Sequence, residues 1–328
     1  MTIGWGILGC GDIADKRGAP AIAAQAQSRL IAVCSRSAAR AVSFARAHGA
    51  ARAYSQREAL LADPDVVAVY VATEHYRHRD DAVAAAEAGK HVLVEKPMAR
   101  SVAECRDMIA AAEANGVQLQ VAYYRRYYPK IRRMKELLAA GAIGAPVTAS
   151  IHLAHRLAPA RIAPENWRLR AELSGGGALL DTGSHRLDLL CYLLGEPTHV
   201  AGFVECREFP IEAPDMESLL VRMACGVHVV CRHGYRTASP DEFEIVGTRG
   251  TLSATPVDGD GLTLRADGRE ERWSLPKHAN VHFPLFDSFA TRVAAGMPVE
   301  FSGIEGMQAT RIIAGAYESA RTGRVIAV

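Results

Sequence analysis

The pattern of apolar runs predicts an α/β protein of two domains. The first is a Rossmann-type, doubly wound parallel sheet, and the second an α+β domain on a large, mostly antiparallel open sheet. Three observations carry this. Strand-like runs alternate with helical segments over residues 1–122. A Gly-x-Gly-x-x-Ala stretch directly follows the first strand. Beyond residue 122, long strand-like runs succeed one another through glycine-containing turns. The 328 residues suffice for two domains at about 100–200 residues each. They divide on this reading into a dinucleotide-binding domain, 1–122, and a substrate-binding and oligomerisation domain, 123–328.

Strands are expected over Ile3–Leu8, 30–34, 66–72, His91–Val94 and 117–122. These runs are nearly continuous in Val, Ile and Leu, as strands covered on both faces require. Ser101, with Glu104 three residues on, forms a capping box for the helix that follows, and Asn115-Gly116 stops it. Gly18 and Pro20 should interrupt the first helix and restart it at Pro20. In the second half, strand-like runs cover 146–156, 199–207, 218–237, 242–254 and 262–275, with helices within 177–194 and 306–322.

Composition narrows the function classes. Hydrophobic residues make up 49% and charged residues 23%, and the net charge is +2. That excess is too small for a protein whose task is neutralising phosphate backbones, so no nucleic-acid partner is expected. No run approaches about 18 uninterrupted apolar residues, so no membrane partner is expected either. Seven cysteines lack C-x-x-C pairs and histidines at zinc-ligand spacing, which fits reduced thiols and no metal site. With no basic leader before the Thr2–Leu8 run, the expected location is the cytoplasm.

Gly9-Cys10-Gly11-Asp12-Ile13-Ala14 has the chemistry of a dinucleotide site. Gly9 permits the tight turn, Gly11 lets the backbone approach a pyrophosphate, and Ala14 lets the helix pack on the strand. The amides around Asp12 and Ile13 would face the phosphates from the helix N-terminus. After the second strand, Ser35-Arg36-Ser37 stands where an NAD enzyme usually carries an acid for the ribose 2′-hydroxyl. An arginine and a serine suit a 2′-phosphate instead, with Arg40 one turn on as a second contact, so NADP is expected over NAD. The alternative is that Ser37 caps the next helix and Arg36 is solvated.

Two further stretches carry side chains suited to hydride chemistry. Lys96, in Val94-Glu95-Lys96-Pro97, would sit at the carboxyl edge of a parallel strand and could hydrogen-bond an oxygen whose charge changes. The other reading is a solvated lysine before a turn proline. Asp181 and His185, in Gly175-Gly176-Gly177-Ala178-Leu179-Leu180-Asp181-Thr182-Gly183-Ser184-His185, share a helix face at i,i+4, where a carboxylate can orient an imidazole. The other reading is a surface pair. The glycine run before them suggests close approach of backbone to something bound.

With Thr73-Glu74-His75-Tyr76-Arg77-His78 and the closing Ala316–Gly323 segment, these motifs run nearly end to end. In that order they resemble the glucose–fructose oxidoreductase / inositol dehydrogenase / MocA family. The resemblance implies that Lys96, Asp181 and His185 are the catalytic trio, that the Lys96–Pro97 bond is cis, and that Thr73, His75, His78 and Glu95 lie near the cofactor. Glu74 and His75 depart from the family's Pro and Asn. Tyr124 and Arg126, in Tyr123–Pro129, are expected to contact substrate or pin the domain joint, and Trp167-Arg168 to contact substrate. Lys130, Arg132, Arg133 and Lys135 should form a solvated helix face. The function implied is hydride transfer between NADP(H) and a secondary alcohol or ketone of a sugar, cyclitol or related diol. A glycosidase or lyase that borrows and returns the hydride, and a non-catalytic NADP sensor, are the rival readings. The open sheet should pair with other copies as a homodimer or homotetramer.

Overall fold

The structure is a computed structural model that describes residues 2–163, 165–239 and 241–328. The chain divides into two units: Met1–Tyr124 with His278–Met307, and Arg125–Lys277 with Gln308–Val328. The crossing falls two residues past the expected boundary. Residues 278–307, expected in the second domain, belong to the first.

In the first unit, β1 (Ile3–Leu8), a π-helical turn (Ala14–Gly18), α1 (Ala19–Ala23), β2 (Ser28–Cys34), α2 (Ala38–His48), β3 (Arg52–Tyr54), α3 (Arg57–Leu61), β4 (Ala68–Val71), α4 (His75–Glu87), β5 (His91–Val94), α5 (Val102–Ala114) and β6 (Leu119–Val121) succeed one another. All six strands pair in parallel in the order β3-β2-β1-β4-β5-β6, so every strand ends at the same edge. β1, β4 and most of β5 are buried along their length, which is why those runs are apolar rather than alternating. β3 escaped the sequence pattern because Arg-Ala-Tyr is short and only half-buried.

The first helix does not break at Gly18 but widens. Pro20 supplies no N–H, and the turn before it is π-helical. A methyl group on Gly18 would overlap the ring of Tyr70. Ser37 caps α2 by accepting from the Arg40 N–H at 3.3 Å, as the alternative reading of that residue had it. The capping box at Ser101 is half formed. Its hydroxyl accepts from the Glu104 N–H at 3.2 Å, but the Glu104 carboxylate turns to the Arg100 N–H and guanidinium.

The second unit carries α6 (Pro129–Ala139), β7 (Pro146–Ala154), α7 (Ala171–Ser174), a π-helical turn (Leu179–Gly183), α8 (Ser184–Leu194), β8 (Pro197–Glu205), β9 (Met216–Met223), β10 (His228–Gly234), β11 (Glu242–Gly247), β12 (Gly250–Ser253), β13 (Gly261–Ala266) and β14 (Arg269–Ser274). Helix α9 (Phe283–Ala294) lies in the returning segment; α10 (Gly303–Thr322) and β15 (Ile326–Ala327) end the chain. Nine strands form one sheet, β14-β13-β12-β11-β7-β10-β9-β8-β15, antiparallel except for β7 with β10. β9 and β10 alternate buried and exposed residues, so one face is covered and the other open.

Helix α9, which the sequence reading did not anticipate, packs its aromatics on the first sheet. Phe286 and Phe289 lie 5.3 and 5.4 Å from Trp5, and Phe286 meets Tyr70 edge-on at 4.9 Å. In the second unit, two arginines at the head of α6 grip other elements. Arg125 forks onto Asp258 at 2.8 Å, and Arg126 onto Asp188 of α8 at 2.5–3.1 Å. Arg186, next to His185, forks onto Asp241 and also reaches Asp258. The basic face expected on α6 is not simply solvated. Lys130 is buried and donates to the Pro256 carbonyl at 2.6 Å, and burial lowers its pKa to about 8. Arg132, Arg133 and Lys135 lie over the rings of Tyr127, Trp273 and Tyr192.

Arg126 and Asp188 are both almost fully buried, so removing one strands the other charge. Arg126→Ala should cost about 3–5 kcal/mol in urea unfolding. The paired replacement Arg126→Met with Asp188→Leu should recover most of it. A loss under about 1 kcal/mol for the single variant would remove this ion pair from the account of the fold.

Candidate active site

The carboxyl edge of the parallel sheet is built from the turns after β1, β2, β4 and β5. Gly9 has φ +100°, and a methyl group there would crowd Ala72 and Thr73 after β4. Its N–H donates to the Cys34 carbonyl at 3.0 Å, which ties the turn to the end of β2. A methyl group on Gly11 would meet nothing, so open space lies above that backbone. The helix begins with the Asp15 N–H donating to the Gly11 carbonyl, so the amides of Asp12 and Ile13 precede its first internal bond. Ala14 is fully buried. Asp12 is exposed and pairs with Lys16. An open glycine edge beside leading helix amides fits a dinucleotide pyrophosphate.

At the end of β2, Ser35 accepts from the Ser37 N–H, and Arg40 is exposed on α2. Arg36 does not stand alone: its guanidinium donates to Glu74 Oε1 at 2.7 Å. Sequence spacing offered no sign of this pair, which joins residues 38 apart.

The loop after β4 departs from expectation at its histidines. His78 is fully buried, and its two ring nitrogens face the carbonyls of Pro97 and Thr73 at 2.9 and 3.1 Å. Burial lowers its pKa, so the ring is neutral and donates to one of them. His78 therefore braces two site loops and has no surface for a cofactor. His75 is likewise buried, its ring 5.5 Å from that of His78. Thr73 Oγ1 donates to Asp81, which also takes Arg57 and Arg77.

Glu95 and Lys96 directly follow β5, and the Lys96–Pro97 peptide is cis. Glu95 is 5% exposed. Its carboxylate accepts from Tyr70 Oη at 2.5 Å and from the Lys96 N–H at 3.2 Å, and lies 3.3 Å from His282 Nε2. Burial pushes its pKa up, but His282, Tyr70 and Lys96 together outweigh that and hold it below the ordinary carboxylate range. Tyr124 stacks on His282 at 4.4 Å. Asn280 anchors the same segment by donating to the Arg17 carbonyl. Tyr70 and His282 went unnoticed in the sequence because a strand tyrosine and a histidine 187 residues from Glu95 share no motif. Lys96 itself is half-buried.

In the second unit, Asp181 lies in the π-helical turn and His185 in the first turn of α8, so the spacing of four between them does not run through ideal α-helix. His185 is buried. Tyr235, from the end of β10, donates to Asp181 Oδ2 at 3.3 Å and meets His155 edge-on. The glycine run has a cause other than the one expected. Methyl groups on Gly176 and Gly177 would overlap Tyr317 and the Pro214 carbonyl. The amides of Gly177 and Leu179 donate inward, to Tyr317 Oη at 3.1 Å and Glu217 Oε1 at 3.2 Å. The run admits protein atoms, and Gly183 similarly makes room for His233. Of the expected substrate contacts, Arg126 is committed to Asp188 and buried, which removes it from any solvent-facing role. Arg168 is exposed and lies 4.4 Å over the ring of Trp167. Tyr124 is half-buried against His282.

Glu217 is fully buried opposite His233 in the β9–β10 register, and burial, opposed by the Leu179 N–H, pushes its pKa up to about 8. The folded chain thus keeps a proton that the unfolded chain releases near 4.5, and stability falls as pH rises from about 4.5 through about 8. Glu217→Gln mimics the protonated acid and should flatten that decline. Its advantage over wild type should be near zero at pH 5 and largest above pH 8. Equal destabilisation at both pH values would show that Glu217 is ionised in the fold.

Comparison with known proteins agrees with this architecture. Residues 3–123 match the oxidoreductase family with an NAD-binding Rossmann fold, and residues 131–253 match the GFO/IDH/MocA C-terminal domain. The chain is 30% identical to 1,5-anhydro-D-fructose reductase of Ensifer adhaerens over 98% of this chain and 97% of that protein. It is also 30% identical to D-xylose 1-dehydrogenase (NADP(+)) 2 of Haloferax volcanii over 98% of each. The crystal structure of aldose-aldose oxidoreductase from Caulobacter crescentus superposes with a TM-score of 0.91 at 28% identity, covering all of both chains. Among the described residues no helix is long and apolar enough to cross a membrane. The chain is a member of the GFO/IDH/MocA family of NAD(P)-dependent oxidoreductases.

Proposed function

We propose that the chain transfers a hydride between NADP(H) and a secondary alcohol or ketone of a sugar, cyclitol or related diol. The observation that carries this is Lys96 at the carboxyl edge of β5, beside a buried, ionised Glu95 and on the same edge as the open Gly9–Gly11 turn. The substrate class is supported by the relatives named for anhydrofructose and xylose. NADP is supported by Ser35, Arg36 and Arg40 at the end of β2, where an acid would favour NAD. One relative carries NADP(+) in its name.

The nicotinamide supplies or accepts the hydride; the residues of this chain handle the oxygen and the proton. Gly9, Gly11 and the amides of Asp12 and Ile13 would hold the pyrophosphate, with Thr73 and Glu95 shaping the neighbouring loops. In the oxidative direction the His185 imidazole would take the hydroxyl proton as the C=O bond forms, with the hydride delivered to the bound nicotinamide. Lys96 hydrogen-bonds the oxygen through both states. Asp181, held by Tyr235, orients substrate. Trp167, Arg168 and Tyr124 complete the set assigned to substrate.

A panel of sugars and cyclitols, assayed with NADP and NAD, tests the reading. Lys96→Ala should lower kcat by about a thousandfold or more and leave the Kd for NADPH within about threefold. Loss of cofactor binding as well would make Lys96 structural and end this mechanism.

The partner we propose is a second copy of this chain. Phe203, Leu220 and Val230, on three adjacent strands, are exposed on the open face of the nine-stranded sheet, Phe203 by 78%. Light scattering should give a dimer or tetramer, and Phe203→Asp with Leu220→Asp should dissociate it. A monomeric wild type would refute the proposal.

A further inference from the structure

The Arg36–Glu74 ion pair joins two loops that the sheet order keeps apart. Arg36 follows β2 and Glu74 follows β4, with β1 between them, so the pair spans the end of the strand that carries the glycine turn. Glu74 is the N-cap residue of α4, yet its side chain makes no capping bond to that helix. Its carboxylate is directed at Arg36 instead. Its side chain is 28% exposed and that of Arg36 is 68% exposed, so the cation is the more accessible partner.

This placement bears on the adenosine end of the site. In a Rossmann domain the ribose 2′ position meets whatever charge stands at the end of β2. A 2′-phosphate there draws on the Arg36 guanidinium, one of whose Nη groups already donates to Glu74, and it brings negative charge toward that carboxylate. A 2′-hydroxyl has no such conflict and can donate to a carboxylate. We infer that Glu74 is a cofactor-selectivity residue, which holds Arg36 and adds negative charge so that binding of a 2′-phosphate is weakened and NAD is admitted alongside NADP. This rests on the reading of Arg36 as the 2′-phosphate contact. Its partners on the neighbouring elements are compatible with it. Thr73 is tied to Asp81 and Ser37 caps α2, and neither draws Glu74 away.

The test measures binding to the full-length protein rather than turnover. Calorimetric Kd values are taken for adenosine 2′,5′-bisphosphate and AMP, and fluorescence Kd values for NADPH and NADH. Glu74→Gln should tighten the bisphosphate and NADPH by about fivefold to tenfold and change AMP and NADH by less than about twofold. In an Arg36→Ala background the same substitution should gain less than half as much, because the guanidinium it releases is gone. An unchanged or weakened NADPH-to-NADH ratio in a folded Glu74→Gln protein overturns the inference, as does an undiminished gain without Arg36. Failure of the underlying reading looks different: Arg36→Ala alone would then leave the bisphosphate affinity of the otherwise unaltered chain as it was. Should Glu74→Gln not fold, Glu74→Ser supplies the same comparison.

Discussion

A carboxylate buried at the end of β5 sets the geometry around it. An unsatisfied ionised Glu95 would cost several kcal/mol at 5% exposure, so the fold must bring it donors. It does so from three directions: Tyr70 of β4, the backbone N–H of Lys96, and His282 of the returning segment. Each donor commits its own surroundings. Tyr70 fills the space that Gly18 leaves in the first helix and packs on Phe286; His282 is backed by Tyr124 and followed by α9. Lys96, the residue on which the proposed chemistry turns, is therefore the neighbour in sequence of a carboxylate held from three directions.

The second unit solves a similar problem around α8 with ion pairs and missing side chains. Arg186 and Asp188, which follow His185 in α8, are gripped by Asp241 with Asp258 and by Arg126. The turn before α8 is π-helical, and it is flanked by glycines where Tyr317, Pro214 and His233 come too close for a Cβ. Its leading amides are satisfied by Tyr317 and by Glu217, an acid that burial keeps protonated and hence uncharged. The segment bearing Asp181 and His185 is positioned by buried polar contacts on several elements rather than by helix propensity.

The cofactor edge combines a general device with a local one. An open glycine turn beside leading helix amides suits a pyrophosphate whichever dinucleotide carries it, and in a Rossmann domain the charge at the end of β2 bears on the ribose 2′ position. Here those charges form a couple, Arg36 with Glu74, and an arginine read without its partner overstates the attraction for a phosphate. The same caution applies to Arg126, whose charge is spent inside the fold.

Local regularities were enough to read the parallel sheet, the glycine turn and the position of Lys96 from the sequence. Apolar runs, glycine spacing and the Lys-Pro turn depend on near neighbours along the chain. The broad order of strands in the second half was legible for the same reason. Tertiary structure alone decided which polar groups meet: Arg36 with Glu74, Arg126 with Asp188, Glu95 with His282, Asp181 with Tyr235. It also decided that residues 278–307 rejoin the first unit and that the glycine run makes room for Tyr317 and Pro214. Electrostatic and steric partners are chosen by distance in space, and residues separated by tens to nearly two hundred positions leave no periodic trace of one another.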